Sequence, residues 1–375
     1  MPLEHLRPFL DFYEKYSVIP TKLEITDQDK FFRQRDFLFE TLGIPKHFLR
    51  GSKFLELGPG TGQKASHLLS LEPALYTAID NNQASLNATR EVIAESGFSG
   101  ASKIIDSDFL DFVDTEKYDL VIAELVVPTQ NDPLLFLNKL SKFLVPGGGL
   151  IFTCMDPISL LSETLRSAIV KSLQLIDNSL QGSAARIVAF FEQDLNLIHG
   201  MNRKRTDWAV DQMIKPPVGP ILDLPSALDS LENVAVFHGS SPRFTEDFRW
   251  YKSPEISEVN LSKVAIENYW KKCHNFLDFR TVCPEVAPKD NKMLFKLSEE
   301  IYSAVHEVAW GQNSREIVES RCREIQKIIC AECQLTSASL KSFLSYWHSG
   351  EIDRLQDFRP WWGRGTQYVS VIKSV

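Results

Sequence analysis

The sequence predicts an α/β protein: a parallel sheet covered by helices, with further helical segments before and after it. Three observations carry that expectation. Short apolar runs alternate with helix-like segments between residues 51 and 156. A glycine-rich turn, LGPGTG at 57–62, joins the first of those runs to the first helical pattern. Outside this region, apolar residues recur about every third or fourth position, the spacing of amphipathic helices.

Taken in order, QDKFFRQRDFLFETLGIP (28–45) reads as a helix that stops at Gly43 and Pro45. The preceding segment is broken at Pro20 and by a polar cluster. From Gly51 the strands are KFLEL, LYTAID, SKIIDSD, YDLVIAEL and GLIFTCM. Between them, GQKASHLLSL, QASLNATREVIAES and PLLFLNKLSKFL carry helical spacing, and VPGGG at 145–149 reads as the turn before the fifth strand. Residues ~158–214 read as helical, the proline-rich KPPVGPILDLPS as a break, and NVAVFHGSS (233–241) as another strand. Four helical stretches follow between ~258 and ~348, and TQYVSVIKSV (366–375) alternates enough to be a final strand.

Composition narrows the function classes. The 375 residues are 43% hydrophobic and 24% charged, as in ordinary soluble globular chains. A formal charge of −8 argues against a general nucleic-acid binder, which must neutralise phosphates. The N-terminus carries charges every few residues and does not read as a signal peptide. No apolar run approaches the ~18 residues of a spanning helix. Six scattered cysteines suit reduced thiols and a cytoplasmic location. Cys330 and Cys333 form a C-x-x-C near Cys322, without the second pair that a zinc site needs; buried helix thiols are the expectation, and no metal site is expected.

The glycine turn is the chemical centre of the chain. A P-loop is ruled out because Lys64 is followed by Ala65 rather than Ser or Thr. Gly60 to Ala65 satisfies G-x-G-x-x-[GA], which would suit a dinucleotide and a nicotinamide-dependent oxidoreductase. Glu56 opposes that reading, because a carboxylate at the strand end would repel a pyrophosphate against the same turn. It suits a cationic ligand instead. S-adenosylmethionine has no phosphate and carries an ammonium and a sulfonium.

Glu56-Leu-Gly58-Pro59-Gly60-Thr61-Gly62 resembles the first motif of the class I S-adenosylmethionine-dependent methyltransferases, an acid followed by G-x-G-x-G. The resemblance runs through the next four strands, ~51–155, and implies a Rossmann-like donor-binding domain. It implies that Glu56 receives the donor's amino group. It also implies that Asp80, beside Asn81 and 18 residues after Gly62, takes both ribose hydroxyls. A carboxylate's two oxygens are suited to that task. Asp108 and Phe109 are implied beside the adenine, with Asp106 and Asp111 as rivals of Asp108. Glu124 is implied at the methyl-donor pocket, although LVVPTQNDP replaces the family's usual proline-rich stretch and a cap or surface role stays open.

The wider chain is similar to a group of bacterial methyltransferases with an N-terminal helical segment, through 16–45, DWAVDQMIKPPVGP and GSSPRFTEDFRWYK. That similarity implies modification of small molecules or of surface polysaccharide precursors. The expected divisions are an N-terminal helical cover (1–50), the S-adenosylmethionine-binding core (51–156), a helical insertion with remaining strands (157–257), and a helical C-terminal region (258–375).

Acceptor residues are expected over the carboxyl edge of the sheet. Tyr13, Tyr16, Arg33 and Arg35 are candidates from the N-terminal segment. In HGMNRKRTDW, Arg203, Lys204 and Arg205 could clamp an acidic small-molecule acceptor, and a solvated loop is the alternative. If the acceptor is a hydroxyl, His199 and His238 are candidate bases. The expectation is O- or N-methylation of a small molecule by in-line displacement. A non-catalytic donor-binding module is the other rival, because the C-terminal helices could serve a partner or a homodimer.

Overall fold

The computed structural model describes residues 25–198, 201, 203–215, 221–246, 249–254, 259–306, 309–329 and 331–375. The chain divides into two compact units. The first is formed by the residues up to Cys154 with Leu222–Ile266 and Gln367–Val375; the second by Met155–Ile221 and Glu267–Thr366. The divisions expected at 50, 156 and 257 therefore follow the linear order of the chain, whereas the units are assembled from separated segments.

In the first unit α1 (Gln28–Thr41) precedes β1 (Lys53–Leu57), α2 (Gln63–Ser70), β2 (Leu75–Asp80) and α3 (Gln83–Glu95). Then come β3 (Ala101–Asp106), β4 (Tyr118–Ala123), α4 (Pro133–Ser141) and β5 (Leu144–Cys154). β6 (Ala235–Ser241) and β7 (Gln367–Lys373) complete a seven-stranded sheet of order β3-β2-β1-β4-β5-β7-β6. β1 to β5 are mutually parallel, and β7 enters antiparallel between β5 and β6. The sequence tail is thus an interior strand of the main sheet: Val369 and Val371 are fully buried.

The helix caps follow the side chains that Ser, Asp and Asn offer at such positions. Asp27 accepts from the Lys30 N–H, Asn82 from Ala84 and Ser85, and Asp132 from Leu135. One face of the sheet is closed by α1 and α2: Phe39, Leu42, Leu68 and Leu69 pack with Phe54, Tyr76, Leu120, Ile122 and Ile151. Residues 145–149, expected as a turn, lie inside β5. The pairing jumps from Tyr118↔Leu144 to Leu120↔Gly149, a bulge that Gly147 accommodates at φ 78°.

The second unit is helical. Its central helix, Pro157–Ser172, starts with a capping box between Asp156 and Ser159 and is buried on nearly every side. Buried Arg166 is fully satisfied within it. It bonds Asp194 through Nε (3.2 Å) and one Nη (3.0 Å), and gives its other protons to the carbonyls of Ser162, Trp361 and Arg359. Its guanidinium lies 3.7 Å from the Trp362 ring centroid. Among the described residues, Cys154, Cys273, Cys283, Cys322 and Cys333 take part in no disulfide; Cys330 lies outside them. No described helix is long and apolar enough to cross a membrane.

Candidate functional site

In a sheet of this order, the strand connections reverse direction between β1 and β4, where open α/β sheets hold ligands beyond the strands' carboxyl ends. The residues singled out from the sequence gather along that edge. The glycine turn follows β1, Asp80 ends β2, Asp108 and Phe109 follow β3, and Glu124 follows β4.

The turn is built on left-handed backbone. Gly58, Gly60 and Gly62 have φ of 66°, 61° and 78°. A Cβ on Gly58 would lie 2.7 Å from a Val126 methyl, and one on Gly62 would lie 2.9 Å from a Val92 methyl. Glycine is therefore required twice over, by conformation and by space. Gly62 caps α2, and the buried Pro59 and Thr61 hold the turn between the glycines.

Glu56 is buried under this turn and accepts the Tyr76 hydroxyl at 2.5 Å. Tyr76 stands opposite Phe54 in the β1–β2 register, two residues from the partner of Glu56, so both side chains share one sheet face. Burial raises the Glu56 carboxyl to about 7; the Tyr76 bond pulls the other way, Glu124 adds to the rise, and Lys64 and Arg35 oppose it.

Glu124 is buried and doubly paired. Arg35, from α1, bonds both its oxygens at 2.5 and 3.0 Å, and Lys64, from α2, lies 3.0 Å from Oε2. Burial pushes Glu124 upward, but the two cations overrule it and hold its carboxyl at about 2. The Arg35 Nε is buried without a hydrogen-bond partner among the described residues. Leu125, next in the chain, has φ 62° although it is not glycine, and its N–H is held by the Thr153 hydroxyl at 2.8 Å. Non-glycine residues in this region are strained and concentrate at functional sites.

Asp80 accepts the Ser85 hydroxyl at 2.6 Å and the Asn82 N–H at 3.0 Å. Burial still holds its carboxyl above the ordinary value. Asn81 is half-buried beside it. Asp108 accepts the Leu110 N–H at 2.8 Å, and the half-buried Phe109 ring lies 6.3 Å from that of Phe136. Of its rivals, Asp106 is exposed and bonded to Gln83.

The acceptor candidates are dispersed. Tyr13, Tyr16 and His199 lie outside the described residues. His238 is exposed on β6, with Nε2 2.8 Å from the Gly43 carbonyl, where it braces the end of α1. In the second unit Arg203 pairs with Asp211 at 2.9 Å and Arg205 with Asn196 at 2.6 Å, while Lys204 is exposed. Sequence reasoning did not find Lys64 and Tyr76 as members of the site. Lys64 was visible only as the residue that spoiled a P-loop, and Tyr76 only as one apolar strand position.

The methyltransferase-domain family model matches residues 49–200. These residues, less than half of the chain, are similar to a methyltransferase domain. The match supports methyl transfer as the activity of this region. No curated protein matches the chain. Solved structures similar in part include the N-methyltransferase NodS from Bradyrhizobium japonicum with S-adenosyl-L-homocysteine. It is 20% identical over 38% of this chain and 73% of that one, with a TM-score of 0.31. The CcbJ methyltransferase from Streptomyces caelestis is 20% identical over 34% of this chain and 50% of its own (TM-score 0.29). An S-adenosylmethionine-dependent methyltransferase from Clostridium acetobutylicum is 21% identical over 42% of this chain and 60% of its own (TM-score 0.31).

The residues along this edge suit the S-adenosylmethionine that the sequence resemblance implies. The turn leaves no room for a Cβ atom at Gly58 or Gly62, and two buried carboxylates stand at the ends of β1 and β2. Among the described residues no cluster of His, Cys, Asp and Glu has the makings of a metal site.

Proposed function

We propose that the chain methylates a small-molecule acceptor on oxygen or nitrogen, with the donor held along the carboxyl edge of the sheet. The observation that carries this is the convergence of a buried acid, Glu56, and a left-handed glycine turn on the point where strand order reverses. In this reading Glu56 receives the donor's ammonium, Asp80 the ribose hydroxyls, and Asp108 with Phe109 the adenine. Pro59, Thr61 and Asn81 shape the walls of that cleft. The bound cofactor supplies an electrophilic methyl group on a sulfonium.

The protein's part is then to orient and to exclude water. Alignment of a nucleophile with the methyl–sulfur bond can account for much of such an acceleration. Glu124 does not stand as a free base here: pinned by Arg35 and Lys64, it fixes α1 and the glycine-turn helix at the edge of the cleft. Arg35, expected at the acceptor, serves that purpose. Arg203 and Arg205, also expected at the acceptor, are engaged with Asp211 and Asn196.

Formation of S-adenosylhomocysteine in the presence of amines, alcohols and carboxylic acids tests the proposal. Turnover of at least one class, lost in Glu56→Gln, supports it. Donor binding with no turnover over the whole panel would favour a binding module. NAD binding in place of the donor would favour the oxidoreductase.

A further inference from the structure

The sheet face closed by α1 and α2 carries a row of polar groups at its carboxyl edge, all in the first unit. Side chains alternate along a strand, so Glu56 shares the face of Phe54, and Glu124 follows Ile122. Tyr368, on the tail strand β7, packs against the same cluster. It pairs with Thr153 of β5, whose hydroxyl takes the N–H of Leu125, the residue after Glu124. The phenol thereby comes within electrostatic reach of Glu124, Lys64 and Arg35.

Apart from Glu56, the row holds more donors than acceptors. Arg35 gives both Nη groups to Glu124 and keeps Nε buried without a partner among the described residues. Lys64 spends one proton on Glu124 at 3.0 Å and carries its other protons on a side chain that is 18% exposed. No described residue takes the proton of the half-buried Tyr368 hydroxyl. Burial, and then Glu124, raise its phenol, so it stays protonated and can donate.

The charges are uneven in the same direction. Glu124 is one ionised carboxylate between two cations; burial works against the charge of Lys64, and Glu124 overrules it. Asp36, beside Arg35 on α1, is answered by Lys46 at 2.7 Å, and burial lowers His67, which stays neutral. With Glu56 given to the donor's ammonium, one positive charge is left over. The donor's own carboxylate can cancel it, but the sulfonium adds another, so the loaded cleft keeps its surplus wherever that carboxylate rests. An unmatched charge in a shielded site is costly, and a ligand of opposite charge offsets that cost. Resting on the methyl-transfer reading above, we propose that the acceptor is an anionic small molecule whose carboxylate is held by Lys64 and the Tyr368 hydroxyl. These two are the partly open members of the row, and the carboxylate they hold is an anchor, separate from the atom that is methylated.

The test is calorimetric titration of the full chain, first with sinefungin, an unreactive donor analogue whose amine replaces the sulfonium methyl. The loaded protein is then titrated with benzoate, and with benzamide and benzylamine as uncharged and cationic counterparts. Saturable benzoate binding is expected, about tenfold or more tighter than either counterpart, as loss of a charge-assisted bond implies. Lys64→Gln should weaken benzoate by a similar factor, and Lys64→Arg should restore it. Should Lys64→Gln fold poorly, Tyr368→Phe, which keeps the ring's packing, should weaken benzoate severalfold and leave sinefungin affinity unchanged. Failure of sinefungin to bind would remove the donor reading and this inference with it. With sinefungin bound, absence of saturable benzoate binding, or equal binding of benzamide, would overturn this inference alone. So would a Lys64→Gln variant that loses sinefungin and keeps benzoate, because Lys64 would then belong to the donor's own carboxylate.

Discussion

With the donor's ammonium on Glu56, as proposed, binding becomes a proton-linked event whose size can be worked out. The carboxyl sits at about 7 in the unliganded protein. To pair with an ammonium it must be ionised, so apparent affinity is reduced by the fraction of protein in that state. At pH 7 that fraction is about one half, and at pH 6 about one tenth, so the dissociation constant should be about fivefold larger at pH 6. The ligand's own α-amino group, near 7.7–8.0, stays charged over this window and does not confuse the slope. Binding should release roughly half a proton at pH 7 and close to one at pH 6.

Calorimetry of S-adenosylhomocysteine binding in buffers of different ionisation enthalpy measures both quantities. Glu56→Gln should flatten the pH dependence and end the proton release. Methylthioadenosine, which lacks the amino-acid part, should bind without either signature. Tyr76→Phe removes a bond that favours the ionised form, so it should move the transition to higher pH. The same shift acts on stability. The folded carboxyl is raised from 4.5 to about 7, so the unliganded fold loses stability as pH rises through that window. The loss is complete above pH 7 and amounts to about 3 kcal/mol. Glu56→Gln should therefore unfold at higher urea than the parent at pH 8. An affinity independent of pH, or a Glu56→Gln variant with the parent's slope, would refute the assignment of the ammonium to Glu56.

Four further outcomes are expected. Asp80→Asn should weaken donor, product and methylthioadenosine alike, by about tenfold or more, because it alters the nucleoside contact; unchanged affinity in calorimetry would remove the ribose assignment. Glu124→Ala strands the buried Arg35 and should cost about 3–5 kcal/mol in urea unfolding. In the parent, the Glu124 contribution, with the carboxyl held near 2 against 4.5, is full above pH 4.5 and lost as pH falls through 2. Gly58→Ala meets a φ of 66° and the Val126 methyl at 2.7 Å, so donor affinity should fall and stability should drop by at least the ~1–2 kcal/mol of a left-handed L-residue. In the helical unit, Asp194→Ala leaves Arg166 buried without its counter-charge and should cost about 3–5 kcal/mol, read by helical circular dichroism in urea.

The strand and helix succession from 53 to 154 was legible because each apolar run is short and each helix keeps its own period. The final strand was legible as a strand but not as a member of the sheet: nothing local in QYVSVIK says that it will enter between β5 and β6. The glycine bulge in β5 was misread as a turn for a related reason. Three consecutive glycines mark a departure from regular backbone, and only pairing with β4 decides whether the strand ends there or bends.

The site divides along the same line. Glu56, the glycines and Asp80 announced themselves because their chemistry depends on short spacings around one turn. Arg35 and Glu124 are 89 residues apart and meet only after α1 has packed on the sheet. No spacing rule reaches that far. Yet this pairing changes what Glu124 can do: a carboxylate facing two cations at about 3 Å or less is held ionised and committed, which suits an anchor and not a proton acceptor. Glu56, bonded to Tyr76 on the neighbouring strand, has its carboxyl raised by burial instead. Two acids at the ends of neighbouring strands thus acquire opposite protonation behaviour from their surroundings. The one that can still change its charge at physiological pH is the one facing the glycine turn, and it is there that a cationic ligand would be felt first.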